Sequence, residues 1–147
     1  MKYAIIGSMV FAMSLALAGC ASKMGCARGN CADGQGVYNY SNGDRYDGEF
    51  KGGQRDGQGT MKYSNKDRYQ GGFRSGQKEG QGEYQWANGD VYKGEFKGGQ
   101  MEGPGAYTFG NGGPVLNATF QGGGSSGQGT FQSRKCELKD RSILCEN

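Results

Sequence analysis

Residues 34–50 read GQGVYNYSNGDRYDGEF, and the alternation within them decides the architecture. Gly34, Gly36, Tyr38 and Tyr40 alternate with Gln35, Val37 and Asn39; Asn42-Gly43 interrupts; then Tyr46, Gly48 and Phe50 alternate with Asp47 and Glu49. A period of two marks a strand with unlike faces, and Asn-Gly is a favoured pair for a two-residue turn with positive φ. The stretch is expected to be a β-hairpin, with glycines and rings on one face and charged and amide groups on the other.

The same pattern then repeats along the chain. Gly34-Gln-Gly36 returns as Gly57-Gln-Gly59, Gly80-Gln-Gly82 and Gly103-Pro-Gly105, always at a spacing of 23 residues. A fifth copy, Gly127-Gln-Gly129, comes one residue late, and the extra residue falls in Asn111-Gly112-Gly113-Pro114, where a turn can absorb it. Interleaved with these run Tyr46-Asp-Gly48-Glu-Phe50, Tyr69-Gln-Gly71-Gly-Phe73, Tyr92-Lys-Gly94-Glu-Phe96 and a degraded Leu116-Asn-Ala118-Thr-Phe120. The turn pair recurs as Asn88-Gly89 and Asn111-Gly112, with Asn65-Lys66 as the departure, while Lys51–Asp56 and Lys97–Glu102 read as polar returns between hairpins.

Glycine supplies 31 of the 147 residues, about three times the usual ~7%. Inside a helix each would cost roughly 0.5–1 kcal/mol relative to alanine, so a helical or α/β domain is excluded as the main architecture. A tyrosine ring lying flat on a sheet needs a neighbour without a side chain, so each ring is expected over a glycine of an adjacent strand. One hairpin cannot bury its rings alone, and stability must come from stacking repeats in a line. Outside residues 1–19, eight Tyr, six Phe and the single Trp take the place of an aliphatic core.

Tyr-x-Gly-x-Phe followed by Gly-x-Gly on a 23-residue period resembles the MORN (membrane occupation and recognition nexus) repeat family, over residues 34–133. The resemblance implies an all-β fold: an elongated, twisted, single-layer antiparallel sheet of consecutive hairpins, used for protein or lipid contacts and for dimerisation. Some members of the family carry appended kinase or methyltransferase domains. The flanking segments, 20–33 and 134–147, are too short to hold one and are expected to cap the two open edges of the sheet, with Ile143 and Leu144 in a last short strand.

Ahead of the repeats, Lys2 precedes an apolar or small-residue stretch, Tyr3 to Ala18, that reads as a secretory signal. Its end, Leu17-Ala18-Gly19-Cys20, resembles the lipobox of bacterial lipoproteins. That resemblance implies removal of residues 1–19, diacylglycerol on the Cys20 thiol, and anchoring at a membrane by its acyl chains. Ala21 stands where the same family places an Asp for inner-membrane retention, which implies the outer membrane, facing the periplasm, with surface exposure as the alternative. Of five cysteines, Cys20 is thereby spent on lipid, leaving Cys26, Cys31, Cys136 and Cys145 as an even set in an oxidising compartment. Three pairings are open to four cysteines; the local one, 26/31 and 136/145, is expected because each pair flanks one end of the repeats.

Catalytic chemistry finds little support. Asp47, Glu49, Glu83 and Glu95 are the candidate carboxylate pairs, but they alternate with Arg45, Lys93 and Lys97 on the polar face, where cross-strand charge pairing explains them. The Gly-x-Gly pairs lead into strands, whereas a phosphate loop leads into a helix. Histidine is absent, which with the wide cysteine spacing argues against a metal site. Neither cysteine pair is a C-x-x-C, and basic residues are interspersed with acidic ones, against nucleic acid as a partner. No catalytic residue, metal or cofactor is expected. A binding face of aromatic residues remains: Tyr40, Tyr63, Trp86 and Phe109 just before the turns, with Tyr46, Tyr69 and Tyr92 beside them. The expected partners are the membrane through the anchor, an envelope protein, and, as the alternative, a glycan or phospholipid taken by the aromatic groove.

Overall fold

A computed structural model describes the backbone of residues 25–110, 112–121, 126–131, 134–139 and 142–145, and the side chains of 25–110 and 112–121. The signal segment and Cys20 lie outside the described residues. Within them the chain is a meander of twelve strands: β1 (Gly25–Gly29), β2 (Gly34–Asn39), β3 (Arg45–Lys51), β4 (Gln54–Lys62), β5 (Arg68–Arg74), β6 (Gln77–Gln85), β7 (Val91–Lys97), β8 (Gln100–Thr108), β9 (Val115–Phe120), β10 (Ser126–Phe131), β11 (Arg134–Lys139) and β12 (Ser142–Cys145). Spatial order equals chain order in one antiparallel sheet, the all-β arrangement of consecutive hairpins that the repeats imply.

Two kinds of turn alternate, and they are assigned the other way round from the sequence expectation. Asn42-Gly43 does not form a two-residue turn. The Tyr40 N–H donates to the Asp44 carbonyl at 2.9 Å and the Gly43 N–H to the Tyr40 carbonyl at 3.1 Å, so three residues close the loop, with only Gly43 at positive φ, 89°. This is a tight turn followed by a left-handed residue. It recurs from Tyr63 to Asp67 and from Trp86 to Asp90, and Phe109 reaches Pro114 across one residue more. The two-residue turns with both φ positive are instead Gly52-Gly53, Ser75-Gly76 and Gly98-Gly99. The expected six-residue returns shrink to these pairs, and their flanks join the strands.

Lys66 occupies the left-handed position that Gly43 and Gly89 fill, at φ 74°. A β-carbon there costs about 1–2 kcal/mol, part of which glycine gives back through its freer unfolded chain. Lys66→Gly is therefore expected to raise stability by about 0.5–1 kcal/mol, read as a higher urea midpoint at unchanged m-value; a lower midpoint would contradict the strain.

The core lies on one face and depends on the two glycines of each Gly-x-Gly doing different jobs. Gly48 pairs with Gly59, but Phe50 pairs with Arg55, so β4 bulges opposite Glu49. The same shift falls between Gly71/Phe73 and Gly94/Phe96. Gly57, Gly80 and Gly103 take positive φ in these bulges, at 102°, 73° and 73°. Gly59, Gly82 and Gly105 lie under the rings of Tyr46, Tyr69 and Tyr92, where an added β-carbon would overlap the phenol. Each of these tyrosines lies over its own strand and donates to the carbonyl of the residue opposite the bulge: Tyr46 to Glu49 at 3.0 Å, Tyr69 to Gly72 at 2.9 Å and Tyr92 to Glu95 at 3.0 Å.

These rings alternate with phenylalanines in one unbroken file. Tyr46 meets Phe50 and Phe73, Tyr69 meets Phe73 and Phe96, and Tyr92 meets Phe96 and Phe120, all edge to face with centroids 4.9–5.2 Å apart. Each such pair contributes about 0.5–1.5 kcal/mol beyond burial, and every second contact crosses into the next repeat. The cross-repeat contacts are what bind the array together. Past the recognisable repeats Leu116 replaces the tyrosine and is fully buried, keeping the file closed with Phe120.

At the start of the file the disulfide Cys26–Cys31 takes over the tyrosine's place: the Cys31 sulfur stands over Gly36 as the rings stand over later glycines. At the far end the register sets Cys136 directly opposite Cys145 on β11 and β12; their side chains lie outside the described residues.

Candidate binding groove

Beside the closed file runs a second aromatic row, nearer the three-residue turns. Tyr38 meets Tyr40 at a tilt with centroids 4.7 Å apart, Tyr63 meets Tyr84 at 5.9 Å, Tyr84 meets Trp86 at 4.7 Å, Trp86 meets Tyr107 at 5.3 Å and Tyr107 meets Phe109 at 4.7 Å. Tyr107 is buried, while Tyr40, Tyr63, Trp86 and Phe109 are half-buried, as their places just before the turns lead one to expect. Tyr46, Tyr69 and Tyr92 are not part of an accessible face. Their rings are 0% exposed, because the glycine beneath and the phenylalanine of the next repeat enclose them, so their inclusion in the expected binding face is corrected.

Between the two rows stand Arg55 on β4 and Lys78 on β6, with Met101 on β8 at the same repeat position. The Arg55 guanidinium lies 5.5 Å from the Phe73 centroid and 5.8 Å from that of Tyr40; the Lys78 ammonium lies 4.5 Å from Tyr84 and 5.3 Å from Phe96. Ring faces attract cations, and desolvation strengthens the attraction. Burial also lowers the Lys78 pKa, against the opposing pull of Asp67. Next to it Lys78, Tyr84, Trp86, Phe96, Gln100 and Met101 line an open pocket of about 220 Å³.

A ladder of carboxylates holds this row at its turn edge. Asp67 accepts from its own backbone-turn partner Asn65 at 2.9 Å, from the Tyr84 hydroxyl at 2.7 Å and from the Ala87 N–H of the next turn at 2.8 Å. Asp90 repeats the arrangement with Asn88, Tyr107 and the Gly110 N–H, and Asp44 reaches the Ser64 N–H at 2.8 Å. Burial first, then the hydrogen bond to Asp67, pushes the Tyr84 hydroxyl pKa up. Sequence reasoning missed these residues, although Asn-x-Asp at 42/44, 65/67 and 88/90 carries the same 23-residue signal. On the opposite edge Asp33, Asp56 and Glu79 tie the tight turns together through the N–H groups of Gly52, Ser75 and Gly98.

The other face of the sheet carries the charges. Of the carboxylates weighed for catalysis, Glu83 pairs with Lys93 at 3.0 Å, Asp47 lies 4.0 Å from Arg28, Glu49 accepts the Gln58 N–H at 2.9 Å and Glu95 accepts from Gln81 at 3.2 Å. Each is accounted for by sheet pairing. Among the described residues no group of three or more Cys, Asp or Glu is arranged to hold a metal ion, and no helix is long and apolar enough to cross a membrane.

A family model described as MORN repeat matches residues 32–45, 46–68, 69–91 and 92–113. The match ends before the degraded unit at Leu116, although β9 continues the sheet there. No curated protein matches the chain.

Proposed function

The chain belongs to the MORN-repeat family, often involved in binding and generally non-catalytic, and from that premise we propose that it is a non-enzymatic lipoprotein serving as a periplasmic protein-binding scaffold. Lipid on Cys20 holds it at the outer membrane, and the groove between the aromatic rows receives an envelope protein. The observation that carries this reading is the half-buried file Tyr40, Tyr63, Trp86 and Phe109 at one-repeat spacing. The core is already closed by the Tyr–Phe file, so these rings are surplus to it, and aromatic residues in such positions are enriched where partners dock. The open pocket beside Trp86 also suits stacking on a sugar ring, which makes a glycan the second occupant to test.

Pull-down from crosslinked envelopes tests the first reading. The intact protein is expected to retain a discrete protein partner, and Tyr63→Ala/Trp86→Ala to recover at least ~10-fold less, the effect of removing central aromatic anchors. Cys20→Ala should leave the membrane fraction and lose labelled palmitate. Equal recovery by the ring variant, or no partner at all, would overturn it. Trp86 quenching of the delipidated protein by muropeptides would move the assignment to the glycan.

A further inference from the structure

Resting on the groove as a protein-binding surface, we propose that its occupant is an extended acidic segment, with carboxylates spaced to meet Arg55 and Lys78 at once and an apolar residue over Met101.

Among the described residues neither Arg55 nor Lys78 forms an ion pair with a carboxylate. Ion pairs in the sheet fall elsewhere, at Arg28–Asp47, Arg74–Glu79 and Lys93–Glu83. Arg55 donates to the Gly76 carbonyl and to the Met61 sulfur, and Lys78 stands among the faces of Tyr69, Tyr84 and Phe96. The Asp67 carboxylate nearby is taken up by Asn65, Tyr84 and Ala87. An ammonium withdrawn from water among rings, at the wall of an open pocket, is a site prepared for an anion, and a carboxylate arriving there forms a charge-assisted bond of low local dielectric.

Spacing selects the form of the occupant. Arg55 and Lys78 stand two strands apart, and so do Lys78 and Met101, which is ~9.6 Å at ~4.8 Å per strand. A chain laid across the strands in the polyproline II form advances ~3.1 Å per residue and returns every third side chain to the same face, so three residues cover one step. The matching sequence is acid–x–x–acid–x–x–apolar, read along the groove from the Arg55 end to Met101. A helical segment would need six or more residues for the same step, and the rows of rings on either side favour the flatter extended form.

Nine-residue peptides with Glu at the third and sixth positions, Leu at the ninth and Ser or Thr elsewhere provide the probe, with Gln-for-Glu and adjacent-Glu versions as comparisons. Trp86, the single tryptophan, reports binding by fluorescence in the full chain. The spaced-Glu peptide is expected to bind about tenfold more tightly than either comparison, with the preference falling as salt rises. Lys78→Met should remove about tenfold of that affinity while keeping the fold, since Met101 already occupies the same repeat position. Arg55→Met should do likewise, and circular dichroism separates loss of binding from loss of structure. If all three peptides bind alike and Tyr63→Ala abolishes each, the groove reading stands and the acidic occupant is overturned. If none binds while the crosslinked partner still depends on Tyr63 and Trp86, the acidic occupant again falls and the groove reading survives. If none binds and no partner is captured, both fail. Phosphatidylglycerol vesicles that bind through Lys78 and Arg55 while the peptides do not would also overturn it.

Discussion

Gly82→Ala is expected to destabilise the protein by about 3 kcal/mol, and Gly80→Ala, two residues away in the same motif, by about 1 kcal/mol. The two share a chemistry but not a surrounding. At Gly80 an added methyl meets open space, and only the positive φ of 73° opposes it. At Gly82 the methyl would stand 2.5–2.7 Å from the phenol of Tyr69. That ring cannot swing aside, because Phe73 and Phe96 press on it from both sides and its hydroxyl is held by the Gly72 carbonyl. Displacing it breaks a link between two repeats, and in an array where each repeat touches only its neighbours, a broken link lets the two halves unfold separately. Urea unfolding followed by Trp86 fluorescence and circular dichroism is expected to show a lower midpoint and a broadened or split transition for Gly82→Ala. The Gly80 variant should show one transition, shifted slightly. Equal shifts would mean that glycine is needed at both places for its backbone alone.

Much of the fold was legible because the repeat ties residue type to place. The period of two, the return every 23 residues and the ratio of rings to glycines specify consecutive hairpins, and the tyrosines do lie over Gly59, Gly82 and Gly105. The additional residue before Val115 does fall in a turn. What the pattern hid was conformation set by side chains from a different repeat. Asn-Gly reads as a two-residue turn, but the carboxylates of Asp44, Asp67 and Asp90 accept both from the Asn of their own turn and from a backbone N–H of the next one, and this draws the loop out to three residues. The bulge, too, is invisible in a strict alternation, although it separates the roles of the two glycines in every Gly-x-Gly.

Accessibility was the least legible property of the candidate site. Alternation puts Tyr46 and Tyr40 on one face and says nothing about what stands above each. Phe73 of the next repeat closes over Tyr46 at 5.0 Å, while Tyr40 sits at the turn edge beyond that file. Arg55 was passed over as part of a polar return and Lys78 was not singled out; only the bulged register turns them onto the aromatic face. The groove is thus a product of the bulge, which carries the tight-turn flank of β4 and β6 across to the side where the rings are.

Stability is expected to collapse between pH 10 and pH 12, and the buried tyrosines are the reason. Burial pushes the Tyr46 and Tyr92 hydroxyls up to about 12 from 10.0, and it raises Tyr69 as well. All three are 0% exposed. Above pH 10 the unfolded chain releases these protons while the folded chain keeps them, so the unfolded state binds fewer protons and stability must fall as pH rises. The contribution is fully present below pH 10 and is lost as pH climbs through the folded values. Each tyrosine contributes a slope of about 1.4 kcal/mol per pH unit, so the three contribute about 4 kcal/mol per pH unit and about 8 kcal/mol between pH 10 and pH 12, comparable with the ~5–15 kcal/mol by which a domain is ordinarily stable. Urea midpoints should be level from pH 7 to 9 and then drop steeply, with tyrosinate absorbance of the buried rings appearing together with the loss of the sheet signal. Tyr46→Phe removes one ionising group and should flatten the slope by about 1.4 kcal/mol per pH unit. At neutral pH it should cost about 1 kcal/mol for the hydrogen bond to the Glu49 carbonyl. A sheet that persists while all its tyrosines ionise near pH 10 would show that the closed Tyr–Phe file admits water.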